Sequence, residues 1–303
     1  LFGCFCWQVA YDESLVEGGL EGALRIYDRK PFAVFSSAFL KFGNSPPTYV
    51  LKRPDIPLAK LFPDNGKDRK ARYQEFKEQK RRRWMAVENK LAVDIGEARF
   101  FNGDELQREF GIGSIVASSR PHNTINRTTL STGIGAFAPY EMETFSYHPD
   151  STLAVMALLD EDLTSVEQVE EGLARLGKFG FGRDASIGMG RFQVVGYQDH
   201  PATPSFEAEE IYTLAPCLPN SDDFEKIFFS PFIRFGKHGD RLASGGLPFK
   251  NPVIMADEGA VLFKKPGATI DKPYIGKAVG GVSKTQQTAV VQGFAPHIPI
   301  TLE

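Results

Sequence analysis

The stretch from Leu176 to Phe192, LGKFGFGRDASIGMGRF, constrains the fold of this chain more than any other segment. Gly177, Gly180, Gly182, Gly188 and Gly190 punctuate it, with Lys178, Arg183 and Arg191 between them. Glycine admits positive φ and lets a second chain come close. Backbone amides interleaved with cations suit phosphate oxygens. The flanks set the order of elements. Upstream, Ser165-Val166-Glu167-Gln168 reads as a capping box, and Val166, Val169, Leu173 and Leu176 follow at helical spacing. This predicts a helix over 165–176 with Gly177 at its C-terminal cap. Downstream, 190–197 reads as a strand. A loop that leaves a helix and enters a strand reverses the order of a Rossmann or Walker loop. That order argues against a nucleotide cofactor.

The chain has 303 residues, enough for two ordinary domains, and 42% apolar content supplies sizeable cores. No apolar run approaches the ~20 residues of a membrane-spanning helix. Cys4, Cys6 and Cys217 cannot build a framework of bridges, and the Cys4/Cys6 pair has no second ligand pair for a metal. All three read as thiols of a reduced, cytoplasmic protein. A net charge of −3 means that any nucleic-acid surface must concentrate its cations locally.

Residues 1–11 form a strongly apolar helix without the basic front or cleavage site of a signal peptide. It reads as the first helix of a domain whose preceding strand is missing from this sequence. A short helix at 19–28 and a strand from Pro31 to Phe39 follow. Pro46, Pro47, Pro54 and Pro57 predict an irregular surface segment. Residues 67–83 hold nine Lys or Arg against three Asp or Glu, with Tyr73, Phe76 and Trp84 near helical spacing. They fit either a solvated charged helix or a flank facing nucleic acid. Residues 152–159 read as a central strand. Together with the helix at 165–176, the glycine loop and the strand at 190–197, they fit the second half of a β-α-β-β-α-β layer. Residues 200–205 read as a linker. Beyond it, strands at 210–215, near 252–264 and at 287–293, with an irregular aromatic segment at 225–235, predict a smaller β-rich domain. The expected class is α+β, with domains over 1–199 and 206–303.

Among candidate chemical groups, Arg120-Pro121-His122-Asn123-Thr124-Ile125-Asn126-Arg127 is polar, basic and rich in hydrogen-bonding side chains. His122 can take a proton near neutral pH. With Arg120 and Arg127 it could serve a metal-free ribonuclease, or it could simply hydrogen-bond a ligand. Asp160-Glu161-Asp162 reads as a polar turn before a helix start. HExxH, CxxC and Gly-x-Ser-x-Gly are all absent, so no metal site or cofactor is expected. Phe179, Phe181 and Phe192 alternate with glycines and can either stack on bases or pack against their own domain.

These pieces resemble a known group. A ferredoxin-like (RRM-like) domain with a glycine-rich loop between its last helix and last strand resembles the RAMP superfamily of CRISPR-associated proteins. Four stretches are similar to its family of fourth subunits of type III-A (Csm) effector complexes. They are Leu1-Phe2-Gly3-x-x-Cys6-Trp7, Pro31-Phe32 with Ser36-Ser37-Ala38-Phe39, His122-Asn123-x-Ile125-Asn126-Arg127, and Gln292-Gly293-Phe294-Ala295-Pro296. The resemblance implies two ferredoxin-like domains, the first lacking its first strand here, and a prokaryotic cytoplasmic location. It implies a non-catalytic subunit that holds the 5′ repeat-derived handle of the guide (CRISPR) RNA. It also implies docking against the large polymerase-like Csm subunit one and the backbone Csm subunit three. The site carried over comprises Lys178, Gly180, Gly182, Arg183, Ser186, Gly188 and Gly190, flanked by Arg120, His122, Asn123, Asn126 and Arg127. Asn123 and Asn126 each offer donors and an acceptor to a base edge or a 2′-hydroxyl. The alternative is an endoribonuclease processing precursor RNA, with His122 as its base.

Overall fold

A computed structural model describes residues 1–43, 46–62, 69–88, 91–111, 116–148, 150–199, 208–239, 242–243 and 245–302. The chain opens with α1 (Phe2–Tyr11) and α2 (Gly19–Ile26). Phe2, Phe5 and Val9 fall on one face of α1 and are buried, with Phe5 packed against Phe32 and Phe35. A five-stranded antiparallel sheet follows. It contains β1 (Ala33–Phe42), β2 (Thr48–Lys52), β3 (Trp84–Glu88), β5 (Arg99–Phe101) and β8 (Thr152–Leu159), in the order β5-β3-β2-β1-β8. Between β2 and β3 come the short α3 (Leu58–Leu61) and the basic α4 (Arg69–Arg81). The two-residue β4 (Val93–Asp94) precedes β5, and α5 (Gly103–Phe110) follows it. Asn102 caps α5 through a capping box with Glu105. The Arg82 guanidinium pairs with Glu105 and holds its carboxyl below the usual range, tying the end of α4 to the start of α5.

The β6–β7 hairpin (Val116–His122 and Tyr140–Ser146) precedes β8, and α6 (Val166–Phe179) follows it. Ser165 and Gln168 form the predicted capping box. Arg175 on α6 donates to Asp12 at the end of α1, 2.8 Å away. The acidic triplet is a turn: Lys30 reaches Asp160 and Asp162 at 3.3 and 2.6 Å. No cluster that could hold a metal occurs among the described residues, and no helix among them is long and apolar enough to cross a membrane.

The second sheet contains β9 (Glu210–Thr213), β10 (Phe224–Phe228), β13 (Val261–Lys264), β14 (Tyr274–Gly276) and β15 (Phe294–Thr301), in the order β10-β13-β9-β15-β14. β4 joins it, parallel to β15. A separate ribbon pairs β11 (Pro231–Arg234) with β12 (Val253–Ala256). The two halves share cores: Phe39, Leu51 and Met85 pack with Tyr212, Val261 and Ile298, and Phe294 packs with Phe2 and Phe5. Backbone and side chains stitch the seam. The register of β1 on β8 breaks between Phe35 and Ala38, where Ser36 Oγ accepts the Met156 N–H and Ser37 N–H donates to Leu214 O. Gln292 donates to Phe35 O at 2.7 Å and accepts from Phe35 N–H at 3.1 Å. The mixed α+β class is as expected. The junction at 200–205 lies outside the described residues.

Several expected elements differ. The helix expected to stop at 176 runs to Phe179, and Gly180, not Gly177, is its cap. Residues 190–197 form no strand: the segment pairs with no described strand, and Val195 is 83% exposed. Alternation gives a segment strand propensity, but a strand requires a ladder partner. The proline-rich segment contains β2, which is central in its sheet, because Thr48–Lys52 are strand formers between the prolines. The aromatic segment at 225–235 is not irregular but supplies β10 and β11. The strand expected at 287–293 lies instead at Phe294–Thr301, despite Pro296 and Pro299. Those prolines are tolerated because Pro296 takes part in the ladder as an acceptor, its carbonyl receiving the Leu214 N–H.

Candidate nucleic-acid interface

The glycine loop leaves the end of α6, turns through a short 3-10 segment at Ala185–Ile187, and returns to the end of the same helix. Phe181 N–H donates to Gly190 O at 2.8 Å, and Phe192 N–H donates to Gly177 O at 3.2 Å. Those two bonds close the loop at its base. Gly190 has φ +70, and a Cβ there would sit 1.9 Å from the Phe181 carbonyl oxygen. Gly180 has φ +102 and faces Met189 O in the same way. The loop therefore requires glycine at both positions for closure and for backbone conformation. Gly182 and Gly188 also take positive φ, with open space around them.

Lys178, Arg183, Ser186 and Arg191 are all exposed on this loop. Asp184 is its one carboxylate. The β6–β7 hairpin descends onto the loop. Arg120 donates to the Met189 sulfur at 3.4 Å, and His122 Nε2 lies 3.9 Å from Asp184 Oδ2. The His122 ring stacks on Tyr140 across the hairpin at 5.4 Å, with an interplanar angle of 15°. Its Nε2 is buried without a hydrogen-bond partner. The structure thus brings Arg120 and His122 together with the glycine loop, although they are distant in sequence.

The rest of the predicted flank is less tightly tied. Asn126 accepts the Thr128 N–H at 2.9 Å, and its own N–H donates to Ser131 O, so it shapes a local turn. Asn123 and Arg127 are exposed at the hairpin's end, near the exposed Ile125 and Leu130. Phe179 and Phe181 are exposed as well, at 68% and 45%, so the loop aromatics face outward rather than into a core. Sequence reasoning missed Tyr140, Asp184 and Met189. The Tyr140–His122 stack depends on hairpin register, which a polar, weakly alternating sequence does not announce.

A second surface faces out on the β11–β12 ribbon. Period-two alternation turns Phe232, Val253 and Met255 inward, and Ile233 and Ile254, which are paired across the ribbon, outward. Phe235 and Phe249 continue the apolar strip at 73% and 68% exposure. Of the aromatics in this region, Phe224 belongs to a core and Phe228 and Phe232 pack against cores, while Phe229 and Phe235 stand in solvent.

No protein-family model and no curated protein sequence matches the chain. Solved structures do. A chain of the Csm3–Csm4 subcomplex in the type III-A CRISPR–Cas interference complex superposes with a TM-score of 0.57 at 14% identity, covering 99% of this chain and 92% of that one. A chain of the Csm1–Csm4 cassette in complex with cA4 superposes with a TM-score of 0.53 at 16% identity, covering 100% of this chain and 90% of that one. Csm4 is the component common to the two assemblies, and the fold is Csm4-like.

Proposed function

We propose that this chain is a guide-holding subunit of a type III-A CRISPR effector complex. Its first half is read as a ferredoxin-like layer of RAMP type, and the second half as its smaller companion. The glycine loop and the β6–β7 hairpin take the 5′ handle of the guide RNA. One observation carries this reading: the Arg120–Arg127 segment and the glycine loop, far apart in sequence, meet at Arg120–Met189 and His122–Asp184. Arg120, Lys178, Arg183 and Arg191 are all exposed on these two segments, beside backbone amides in glycine conformations. Phosphates suit the cations, and unstacked bases suit Phe179 and Phe181. The experiment is a filter-binding salt series with handle-bearing guide RNA. Arg183→Ala should lower the slope of log affinity on log salt by roughly 0.7, one single-strand phosphate contact. An unchanged slope and affinity would remove the loop from the handle site.

Assembly follows from the same reading. The structures of similar fold contain Csm3 or Csm1 beside Csm4. For this chain, the outward strip of Ile233, Phe235, Phe249 and Ile254 is the docking face proposed for the large polymerase-like subunit. The backbone subunit is the other proposed neighbour. Phe235→Ser with Phe249→Ser should leave the chain folded and abolish co-purification with the large subunit.

The chain is proposed to bind RNA without cutting it. One observation favours the endoribonuclease reading: His122 Nε2 has no hydrogen-bond partner and lies 3.9 Å from Asp184 Oδ2, which leaves its imidazole uncommitted beside a carboxylate. Incubation with labelled repeat RNA decides between them. Cleavage that disappears in His122→Ala would make the chain a nuclease; intact RNA would support the binder.

A further inference from the structure

The glycine loop leaves the helix that follows β8, at one edge of the five-stranded sheet. The opposite edge carries a second basic surface. Four strand spacings of ~4.8 Å place the two edges about 19 Å apart. There, α4 and the first turn of α5 enclose an open cavity of about 770 Å³. One wall is Lys77, Lys80, Arg81 and Arg83; the other is Asn102, Gly103 and Asp104.

Charge at this cavity is unbalanced: four cations face one carboxylate, Asp104. Arg81 has a partial partner in Glu78 at 3.4 Å. Lys80 and Arg83 form no ion pair with any described residue. Neighbouring cations do the holding. Arg82 is engaged bidentately by Glu105, and Arg53 donates to the carbonyls of Gln79 and Arg82 at the end of α4. The fold thus uses Arg53 and Arg82 to fix the helix end and leaves its remaining charges clustered and solvated. Like charges held together favour a polyanion.

The second observation is aromatic. α4 is rich in charged residues, yet Tyr73 and Phe76 on it are 61% and 49% exposed. Tyr73, Lys77 and Lys80 follow one stripe of the helix, and the Lys77 ammonium sits 4.6 Å from the Tyr73 ring centroid. A helix that serves only solubility has no use for two solvent-facing rings. Rings beside unpaired cations are the combination that binds single strands, stacking bases while cations track the backbone.

We propose that α4 and the α5 N-terminal turn form a second site for single-stranded RNA, separate from the glycine loop, with phosphates on Lys80, Arg81 and Arg83 and bases on Tyr73 and Phe76. The site stands on its own observations and does not depend on the handle reading.

The test uses the full chain and a labelled 20-nucleotide oligouridine that lacks any handle sequence, read by fluorescence anisotropy across a salt series. Lys80→Ala/Arg83→Ala should weaken binding at least tenfold and reduce the salt slope by roughly 1.4, two contacts at about 0.7 each. Tyr73→Ala/Phe76→Ala should weaken it about fivefold or more, the loss of one or two stacks, with little change in slope. Both pairs are exposed, so the urea midpoint should stay at the wild-type value. Arg183→Ala should bind oligouridine as wild type does, whatever it does to handle RNA. Unchanged affinity in the charge pair overturns the proposal. So does loss in the charge pair with none in the aromatic pair, or competition by heparin equal to that of RNA, since either describes unselective polyanion attraction.

Discussion

Replacing Gln292 with Leu should destabilise the chain by about 2–6 kcal/mol. The argument begins with β1. Its pairing with β2 starts only at Leu40, so at Phe35 the edge away from β8 has no strand beside it. The side-chain amide of Gln292 fills that place as a strand would, taking both Phe35 N–H and Phe35 O and also donating to Phe294 O at 3.1 Å. Gln292 is 8% exposed and Phe35 2%, so water does not substitute. Leucine has a similar volume but leaves two buried backbone groups of Phe35 unpaired. Each such group costs about 1–3 kcal/mol, a large share of the ~5–15 kcal/mol that typically separates folded from unfolded. Urea unfolding followed by tryptophan fluorescence should show a lower midpoint at unchanged slope. Amide exchange should accelerate at Phe35 before the rest of β1. Gln292→Glu should also be weak at pH 7 and recover toward pH 5, where a protonated acid regains its donor. A Leu variant within about 1 kcal/mol of wild type, with Phe35 exchange unchanged, would refute the claim that this amide acts as a strand surrogate.

Other consequences are independent of that seam. Gly190→Ala should open the base of the loop, because its Cβ collides with Phe181 O and its φ is +70; trypsin should cut after Arg183 faster than in wild type, whereas Gly182→Ala, with open space, should fall between the two. Burial pushes the Cys217 thiol up to about 12, so at pH 8 a thiol reagent should label it only as the protein unfolds, well after Cys4; rapid labelling of Cys217 in native protein would contradict its place in the core. Burial also lowers the pKa of His297 from 6.5, so the folded state favours neutral imidazole. Its stabilising contribution is complete above about pH 6.5 and is lost as pH falls through the folded value. His297→Gln should therefore flatten the fall in stability between pH 7.5 and 5.5, and an identical pH profile would count against it.

What the sequence shows depends on whether an element is specified locally. Thr152–Leu159 is a continuous apolar run and reads correctly as β8; Ser165 with Gln168 marks the start of α6 from side-chain chemistry alone. Gly177 misleads because two physical reasons for glycine look alike in sequence. It is not at a helix end; it sits inside the helix, where a Cβ would lie 2.3 Å from Phe192 O. β15 is hidden by Pro296 and Pro299, whose missing donors matter only once the neighbouring strands are known. The β6–β7 hairpin is hidden because both of its faces are largely exposed, so no alternation betrays it. The meeting of His122 with Asp184 is set by that hairpin's reach, which no local pattern encodes.

The stretches that carry the family resemblance divide by what they do in the fold. Ser36 fills the bulge of β1, Ser37 passes its N–H to Leu214, and Gln292 clamps Phe35, so the Ser-Ser-Ala-Phe and Gln-Gly-Phe-Ala-Pro segments both build the seam between the halves. Phe2 and Phe5 of the opening segment enter the core beside that seam. Only the His122–Arg127 segment reaches the exposed surface at the glycine loop. Three of the four stretches therefore speak for architecture, because a buried seam tolerates few alternatives. The proposed function rests on the fourth and on the loop, where side chains face solvent. A variant that keeps Ser36, Ser37 and Gln292 but loses Arg120, Arg183 and Arg191 should therefore fold with the native urea midpoint and fail to hold guide RNA. The reverse exchange should fail to fold before RNA is ever tested. That separation of outcomes distinguishes residues that build the scaffold from residues that build the site.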